Sequence, residues 1–170
     1  EAIAELHALG VTSVMLTGDN VATAKAIAMQ AGIDDARGNL LPEDKLAAIE
    51  ALQKQFGCVA MTGDGINDAP ALARSDIGFA MGGAGTDTAM EAADVVIMND
   101  DLRRIPETIR LSRKTQSILW QNIALALGIK AVFLLLALFN GATMWMAVFA
   151  DMGGSLLVVF NGLRVLRMGR

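Results

Sequence analysis

The sequence predicts an α/β part-domain with a parallel sheet over residues 1–100, a charged helix over 101–117, and a two-helix transmembrane hairpin over 118–139 and 144–165. Three observations carry this. Short β-rich runs alternate with helical segments at the spacing of βα units, which implies parallel strands with right-handed crossovers. Two of those runs lead into Thr-Gly-Asp, at Thr17–Asp19 and Thr62–Asp64. Beyond them lie two apolar stretches, each long enough to span a bilayer core of about 30 Å. The 54% hydrophobic content of the 170 residues therefore averages two populations. About a hundred mixed residues suffice for one small core. The net charge of −4 gives no sign of a nucleic-acid partner. A lone cysteine, Cys58, excludes an internal disulfide framework and fits a small strand residue in a reducing compartment.

Glu1–Leu9 sets Ile3, Leu6 and Leu9 on one helical face and stops at Gly10. With a helix already in progress, no initiator Met and no signal peptide, the chain reads as a piece of a longer protein. His7, the only histidine, falls near the opposite face, the place of a solvated side chain more than of a metal ligand. Val11–Leu16 is a β-rich run leading into Thr17-Gly18-Asp19-Asn20, and Val21–Gln30 is an alanine-rich helix with Gly32 as its stop. That βα turn sets the Thr17 hydroxyl and the Gly18 N–H near a helix N-terminus, which favours an anion. The plainer reading, a polar residue capping the helix, accounts for the same letters. Leu41-Pro42-Glu43-Asp44-Lys45 starts another helix with Pro42 in its first turn, and Lys45 taken alone is an ordinary surface lysine. Ile66–Ala73 is a short helix, Asp76–Ala80 a strand, Thr86–Ala92 a helix opened by a Thr cap, and Asp94–Met98 a further buried strand. Gly82-Gly83-Ala84-Gly85 lacks a following Lys-Ser/Thr, so it is a connector and not a Walker loop.

The stretch around which the rest is organised is Thr62-Gly63-Asp64-Gly65-Ile66-Asn67-Asp68-Ala69-Pro70-Ala71-Leu72. It follows the apolar run Cys58–Met61, a buried strand that cannot continue past two glycines. Asp64, Asn67 and Asp68 place hard oxygen ligands where the strand ends, beside free backbone N–H groups, a combination that suits Mg²⁺ together with a phosphate. A polar turn capping the helix near Pro70 is the bland alternative for a bare Gly-Asp-Gly. The eleven-residue string is far more specific than its parts.

Thr62–Leu72 resembles the hinge motif of the P-type ATPases, cation pumps whose phosphorylation domain is of the haloacid-dehalogenase type. Thr17-Gly18-Asp19 resembles a second motif of that family, and Pro42 with Lys45 a third, so the motifs cover residues 1 to about 100 in the right order. The resemblance implies a haloacid-dehalogenase-like, Rossmann-type part-domain. It implies that Asp64 binds Mg²⁺, that Asn67 and Asp68 support phosphate and metal, and that Thr17, Gly18 and Lys45 stabilise the phosphoryl group, with Asp19 helping on the nucleotide side. ATP would donate the phosphoryl in the intact protein, through an aspartyl phosphate. The Asp-Lys-Thr-Gly-Thr phosphoacceptor segment, the nucleotide-binding insertion, the actuator domain and a Cys-containing membrane helix are absent from these 170 residues, so this piece alone is expected to be inactive.

From Asp100 the character changes. Arg103, Arg104, Arg110, Arg113 and Lys114 charge a helix that runs without a break into Ile118–Phe139. Asn140-Gly141-Ala142-Thr143 makes a tight turn, and the second span, Met144–Val165, ends among Arg164, Arg167 and Arg170. Basic residues flank the outer ends of the hairpin and none occupies the turn, so the positive-inside rule puts both ends in the cytoplasm of an integral plasma (inner) membrane protein. Trp120 and Trp145 lie where interfacial anchors belong. Lys130 and Asp151 interrupt the spans, Lys130 lying 11 residues before Gly141 and Asp151 10 after it. At 1.5 Å per residue both reach about 15–16 Å from the turn, the midplane. An intramembrane charge marks a pathway or has a partner, and a structural salt bridge between the two is the bland reading.

The functional reading makes Asp151 a hard oxygen ligand to a transported cation and Lys130 its counter-charge when the metal leaves. By resemblance to the heavy-metal branches of the family, the copper positions for Tyr-Asn are here Ile129 and Lys130, counted from Gln121-Asn122. The copper Met position is Asp151, and only Ser155 keeps a matching serine. A carboxylate suits a divalent ion better than Cu⁺, so the Lys130 and Asp151-Met152-Gly153 pattern looks like the Zn²⁺, Cd²⁺ and Pb²⁺ exporters. Met152 is about 100° round the helix from Asp151 and is no ligand. Expected partners are the lipid bilayer and the remaining domains of the same polypeptide. The alternatives are a copper exporter, a membrane-tethered phosphatase of the same fold, or a non-catalytic assembly piece.

Overall fold

Each short β-rich run becomes a strand where it meets a parallel neighbour, and each alanine-rich segment a helix where it covers one. The structure is a computed structural model, and it describes residues 1–63, 66–83, 87–139, 141 and 143–167. It falls into two units, Glu1–Pro106 and Glu107–Arg170.

The first unit opens with helix α1 (Ala2–Ala8), which ends at Gly10 with φ +77°, a conformation only glycine adopts cheaply. Strand β1 (Val14–Leu16) is shorter than the Val11–Leu16 run, because only its last three residues have a partner. Helix α2 (Val21–Ala31) is capped by the Asn20 side chain accepting from Thr23 N–H, and closed by Gly32 at φ +74°. Strand β2 (Asp35–Arg37) pairs in parallel with β1, Met15 opposite Ala36. The sequence gives no sign of β2: Asp-Ala-Arg has no β propensity, and only the neighbouring strand makes it extended. Helix α3 (Pro42–Phe56) starts with Pro42 in its first turn while the Asp44 carboxylate accepts from Leu41 N–H at 2.9 Å.

A second ladder, also parallel, orders β3 (Ala60–Gly63), β4 (Ile77–Met81) and β5 (Val95–Ile97). β3 and β4 are displaced toward the C-terminus from their expected runs, and β5 is one residue shorter than its run at each end. Cys58, expected inside the strand, precedes it and is exposed. Between β3 and β4 lie a 3-10 turn at Ile66–Asp68 and helix α4 (Ala69–Arg74), and between β4 and β5 helix α5 (Asp87–Ala92). Ile49 of α3, Met61 of β3, Ala71 and Leu72 of α4 and Ala80 of β4 form the core cluster, with Leu16 of β1 packed on it. Leu72 is 1% exposed. Around this small core, Ala24, Ala28, Ala48, Ala69 and Ala71 outnumber Ile49, Leu52 and Leu72 among the buried residues of α2–α4, so backbones approach closely. At Gly78 a Cβ would lie 3.1 Å from Leu72 O and 3.3 Å from Ala93 Cα.

Helix α6 (Arg104–Leu138) starts later than the charged helix expected from Asp101. The Asp101 carboxylate accepts from the Arg103 backbone N–H and from its guanidinium at 2.8–3.0 Å, so Asp101 stays outside as a cap. Those bonds hold the Asp101 carboxyl down at about 2. Pro106 falls in the first turn, where its missing N–H costs nothing. In the second unit, α6 continues to Leu138 and α7 runs Met144–Gly162, with the Thr143 hydroxyl accepting from Met146 N–H. The Asn140 and Ala142 of the expected turn lie outside the described residues, as does Arg170. Among the described residues, two helices are long and apolar enough to cross a membrane. Leu134, Leu138, Trp120, Phe149 and Phe160 are each more than half exposed, a surface that water does not tolerate and a bilayer does.

Candidate functional site

Two sets of chemistry-bearing residues emerge, one in each unit. In the first unit Thr17 directly follows β1, and its backbone is tied on both sides. Its N–H donates to Arg37 O at 3.0 Å and its carbonyl accepts from Leu40 N–H at 3.1 Å. Asn39 N–H donates to Asp19 O at 2.6 Å. The loop from β2 to α3 therefore grips the Thr17-Gly18-Asp19 turn. Within the turn the Thr17 hydroxyl donates to Asp19 Oδ2 and accepts from Asp19 N–H, both at 3.1 Å. Gly18 is exposed, and a Cβ there would meet only Leu40 O at 3.5 Å. The tight position is Gly38, where a Cβ would fall 2.7 Å from Asp19 O and 2.8 Å from Val21 N. Sequence reasoning missed the Gly38-Asn39-Leu40 loop. The signal was present as a Gly-Asn pair, and Asn39 does adopt φ +56°.

Lys45, one turn into α3, donates from Nζ to Asp68 Oδ1 at 2.7 Å. The side chains are 16% and 15% exposed, so this is a shielded, charge-assisted bond and not a surface pair. It joins two motifs that the sequence holds 23 residues apart. Asp68 Oδ2 lies over Gly63, where a Cβ would come within 3.0 Å of it and 2.7 Å of Asp68 Cβ. Glycine is thus what lets this carboxylate lie against the end of β3. That cradle, with hard oxygen at the strand end and a cation on its far side, fits a Mg²⁺ and phosphate site in donor chemistry. Asn67 lies in the exposed face of the 3-10 turn. Asp64 and Gly65 lie outside the described residues. Gly82 and Gly83, expected to be a plain connector, are closely packed: Gly83 N–H donates to Asp100 Oδ1 at 2.9 Å, and a Cβ on Gly83 would collide with Asp100 Oδ2. Ala84, Gly85 and the Thr86 cap lie outside the described residues.

His7 is exposed but engaged. Its Nε2 is 2.8 Å from Asp34 Oδ2 and 3.1 Å from Ser13 Oγ. Asp34 also accepts from Ser13 N–H and hydroxyl, bonds that hold its carboxyl below the usual range. One oxygen takes all these donors, so the cluster fastens α1 to the start of β1 and offers no activated nucleophile.

In the second unit Lys130 and Asp151 line one groove of about 630 Å³ between α6 and α7, together with Ala126, Ile129, Gly154 and Ser155. No ion pair of 4.0 Å or less joins them among the described residues, and Met152 is 64% exposed and absent from the groove wall. At the end of the hairpin remote from the turn, Asn161 Nδ2 donates to Asn122 Oδ1 at 2.9 Å and to Gln121 Oε1 at 3.3 Å, while Asn161 Oδ1 accepts from Arg164 Nη1 at 3.0 Å. Sequence reasoning used Gln121 and Asn122 only as landmarks for counting.

Comparison with known proteins bears on both units. Residues 1–76 match the family model of haloacid dehalogenase-like hydrolases. Over 98% of its length the chain is 55% identical to a probable cadmium-transporting ATPase of Listeria monocytogenes, covering 24% of that protein. It is 49% identical, over 98% of its length, to a zinc/cadmium/lead-transporting P-type ATPase of Escherichia coli K12, covering 22% of it. In three dimensions it is similar to the crystal structure of a zinc-transporting PIB-type ATPase in the E2.Pi state, with a TM-score of 0.90 and 47% identity over 97% of the chain and 27% of that one. The chain spans about a quarter of the length of the curated relatives it matches.

Proposed function

This chain belongs to the heavy-metal-transporting P-type ATPases, and we propose that the protein it comes from exports Zn²⁺, Cd²⁺ or Pb²⁺ from the cytoplasm, driven by an aspartyl phosphate made from ATP. Within it this piece supplies half of the phosphoryl site and one wall of the ion path. The observation that carries the choice of ion is the shared groove: a carboxylate and an ammonium from two different helices, set in a lining that is apolar apart from Ser155. A carboxylate oxygen is a ligand for a divalent cation and a poor one for Cu⁺. Lys130 beside it lowers the cost of the bare Asp151 charge once the ion has left. The relatives named for zinc, cadmium and lead support the same choice.

In the phosphoryl site Lys45 neutralises charge on the transferring group, held in place by Asp68. Gly18 presents its N–H to that group's oxygens and leaves the approach open, and the Thr17 hydroxyl would turn its one proton from Asp19 Oδ2 to them when the group binds. Asp19 orients the Thr17 hydroxyl through the bonds described above. Asp64 and Asp68 would hold Mg²⁺ with Asn67 in support, and the ion would supply further charge neutralisation. Both hairpin ends are cytoplasmic on this reading, and the protein is integral to the plasma (inner) membrane. The remaining partners are the lipid bilayer and the other domains of the same polypeptide.

The test is ATP hydrolysis by the intact protein in lipid, with Zn²⁺, Cd²⁺, Pb²⁺, Cu⁺ or no added metal, for wild type and Asp151→Ala. Stimulation by the divalent ions that disappears in the variant is the expected result. Stimulation by Cu⁺, or a variant that responds normally to zinc, would overturn the role of Asp151.

A further inference from the structure

We propose that Asn161 is a positioning residue for the ion site: by clasping Gln121 and Asn122 it fixes the register between α6 and α7 that brings Lys130 and Asp151 to one side of the hairpin. The inference rests on the export reading, because it assigns the clasp to the site that reading invokes.

A carboxamide offers two N–H donors and a carbonyl acceptor. Asn161 uses all of them: both donors go to α6, and its oxygen takes Arg164 from its own chain segment. The contact is half-buried and lies between two helices that are mostly apolar from there to the turn. In lipid, apolar packing between such helices specifies register weakly, since tails are as apolar as leucine. A hydrogen-bonded polar cluster specifies it strongly, since a slipped alternative strands its donors.

The geometry then follows from helix arithmetic. Lys130 lies 8 residues after Asn122, and Asp151 lies 10 residues before Asn161. The chains are connected by a short turn, so both steps lead from the clasp toward the turn, over about 12 and 15 Å. A right-handed helix turns in the same sense along a given direction whichever way its chain runs. Eight residues amount to two full turns plus about 80°, and ten to three full turns less about 80°. Starting from facing positions, a lead on one helix and an equal lag on the other swing both side chains to the same side. They therefore open into the same groove along that side of the pair, and both are found among its lining residues. A slip of α7 by one residue would turn Asp151 by about 100° and take it out of the groove.

The experiment uses the intact protein in lipid and measures the zinc concentration for half-maximal ATP hydrolysis and the maximal rate, for wild type, Asn161→Asp, Asn122→Leu and the double variant. Asn161→Asp keeps the acceptor for Arg164 and loses both donors to α6, so it isolates the clasp. Each single variant is expected to raise the half-activating zinc concentration about three- to fifteen-fold, the span of single interhelical hydrogen bonds, with the maximal rate within about twofold of wild type. The double variant is expected to be no worse than Asn161→Asp alone, because that single variant already loses the contact Asn122 makes. Unchanged zinc dependence in both singles, additive effects, or a fall in maximal rate at saturating zinc in place of a shift would overturn the positioning role. If Asn161→Asp does not reach the membrane, Asn122→Leu alone decides by the same readings. Wild type that ignores zinc would instead sink the export reading, and this one with it.

Discussion

The two units each contain a lysine–aspartate couple, and the couples are built in opposite ways. In the first unit Lys45 and Asp68 are in contact at 2.7 Å, shielded from solvent and held by a helix start on one side and a glycine-floored strand end on the other. In the second, Lys130 and Asp151 share a groove without a bond of 4.0 Å or less. A closed couple fixes its members in space. An open couple leaves carboxylate lone pairs for something else. The difference follows from what positions each residue. βα turns deliver side chains to one point at the end of a sheet, whereas a helix pair delivers them by phase, to a side.

The largest effects should come from breaking chemistry in the first unit. Lys45→Ala or Asp64→Ala in the intact protein is expected to lower metal-stimulated ATP turnover by about a hundredfold to a thousandfold, the loss typical of one preorganised charge or donor. A steady-state assay at saturating ATP checks it, and a variant with near-normal turnover would reduce the closed couple to a structural pair. Asp68→Ala should both slow turnover and destabilise, by about 3 kcal/mol, because it leaves the Lys45 charge shielded and unpaired. Adding Lys45→Met should recover part of that stability in a thermal unfolding cycle, and additive losses would mean the contact does not couple.

A smaller effect tests the glycine floor. Gly63→Ala puts a Cβ 2.7 Å from Asp68 Cβ, so the Asp68 side chain must shift off Lys45, at a cost of about 1–3 kcal/mol. Gly18→Ala has room and should leave stability unchanged while lowering turnover, and equal stability losses in both would contradict the distinction. The smallest effect is the response to acid. Val59 N–H, then Gln53, hold the Asp76 carboxyl low, and the Arg103 side chain holds Asp101 at about 2. Their folded pKa values lie below the unfolded ones, so the stability they give is complete above the ordinary carboxylate value of about 4 and is lost as pH falls from there toward 2. Asp76→Asn should lower the neutral plateau of a melting-temperature profile slightly and flatten its acid limb between pH 4 and 2, the two profiles converging in acid.

The sequence by itself determined a good deal. Caps at Asn20 and Gly32, Pro42 in a first turn, the alternation of strands and helices, and two long apolar helices are all local or periodic features, and each is present. The resemblance of three motifs sufficed for the family. Tertiary structure decided what local letters cannot carry. Asp35–Arg37 is a strand because β1 is beside it, and Asp101 is a cap because Arg103 folds back on it. Gly38 and Gly83 are needed for neighbours 17 to 19 residues away, Asp19 and Asp100, as much as for their own turns. The contact of Lys45 with Asp68 joins two motifs whose separation in the chain says nothing of distance. Counting residues from the turn places Lys130 and Asp151 at one depth, but depth is not direction. The side on which they meet depends on the phase of two helices, and that phase is set where Asn161 meets Gln121 and Asn122, at the other end of the pair.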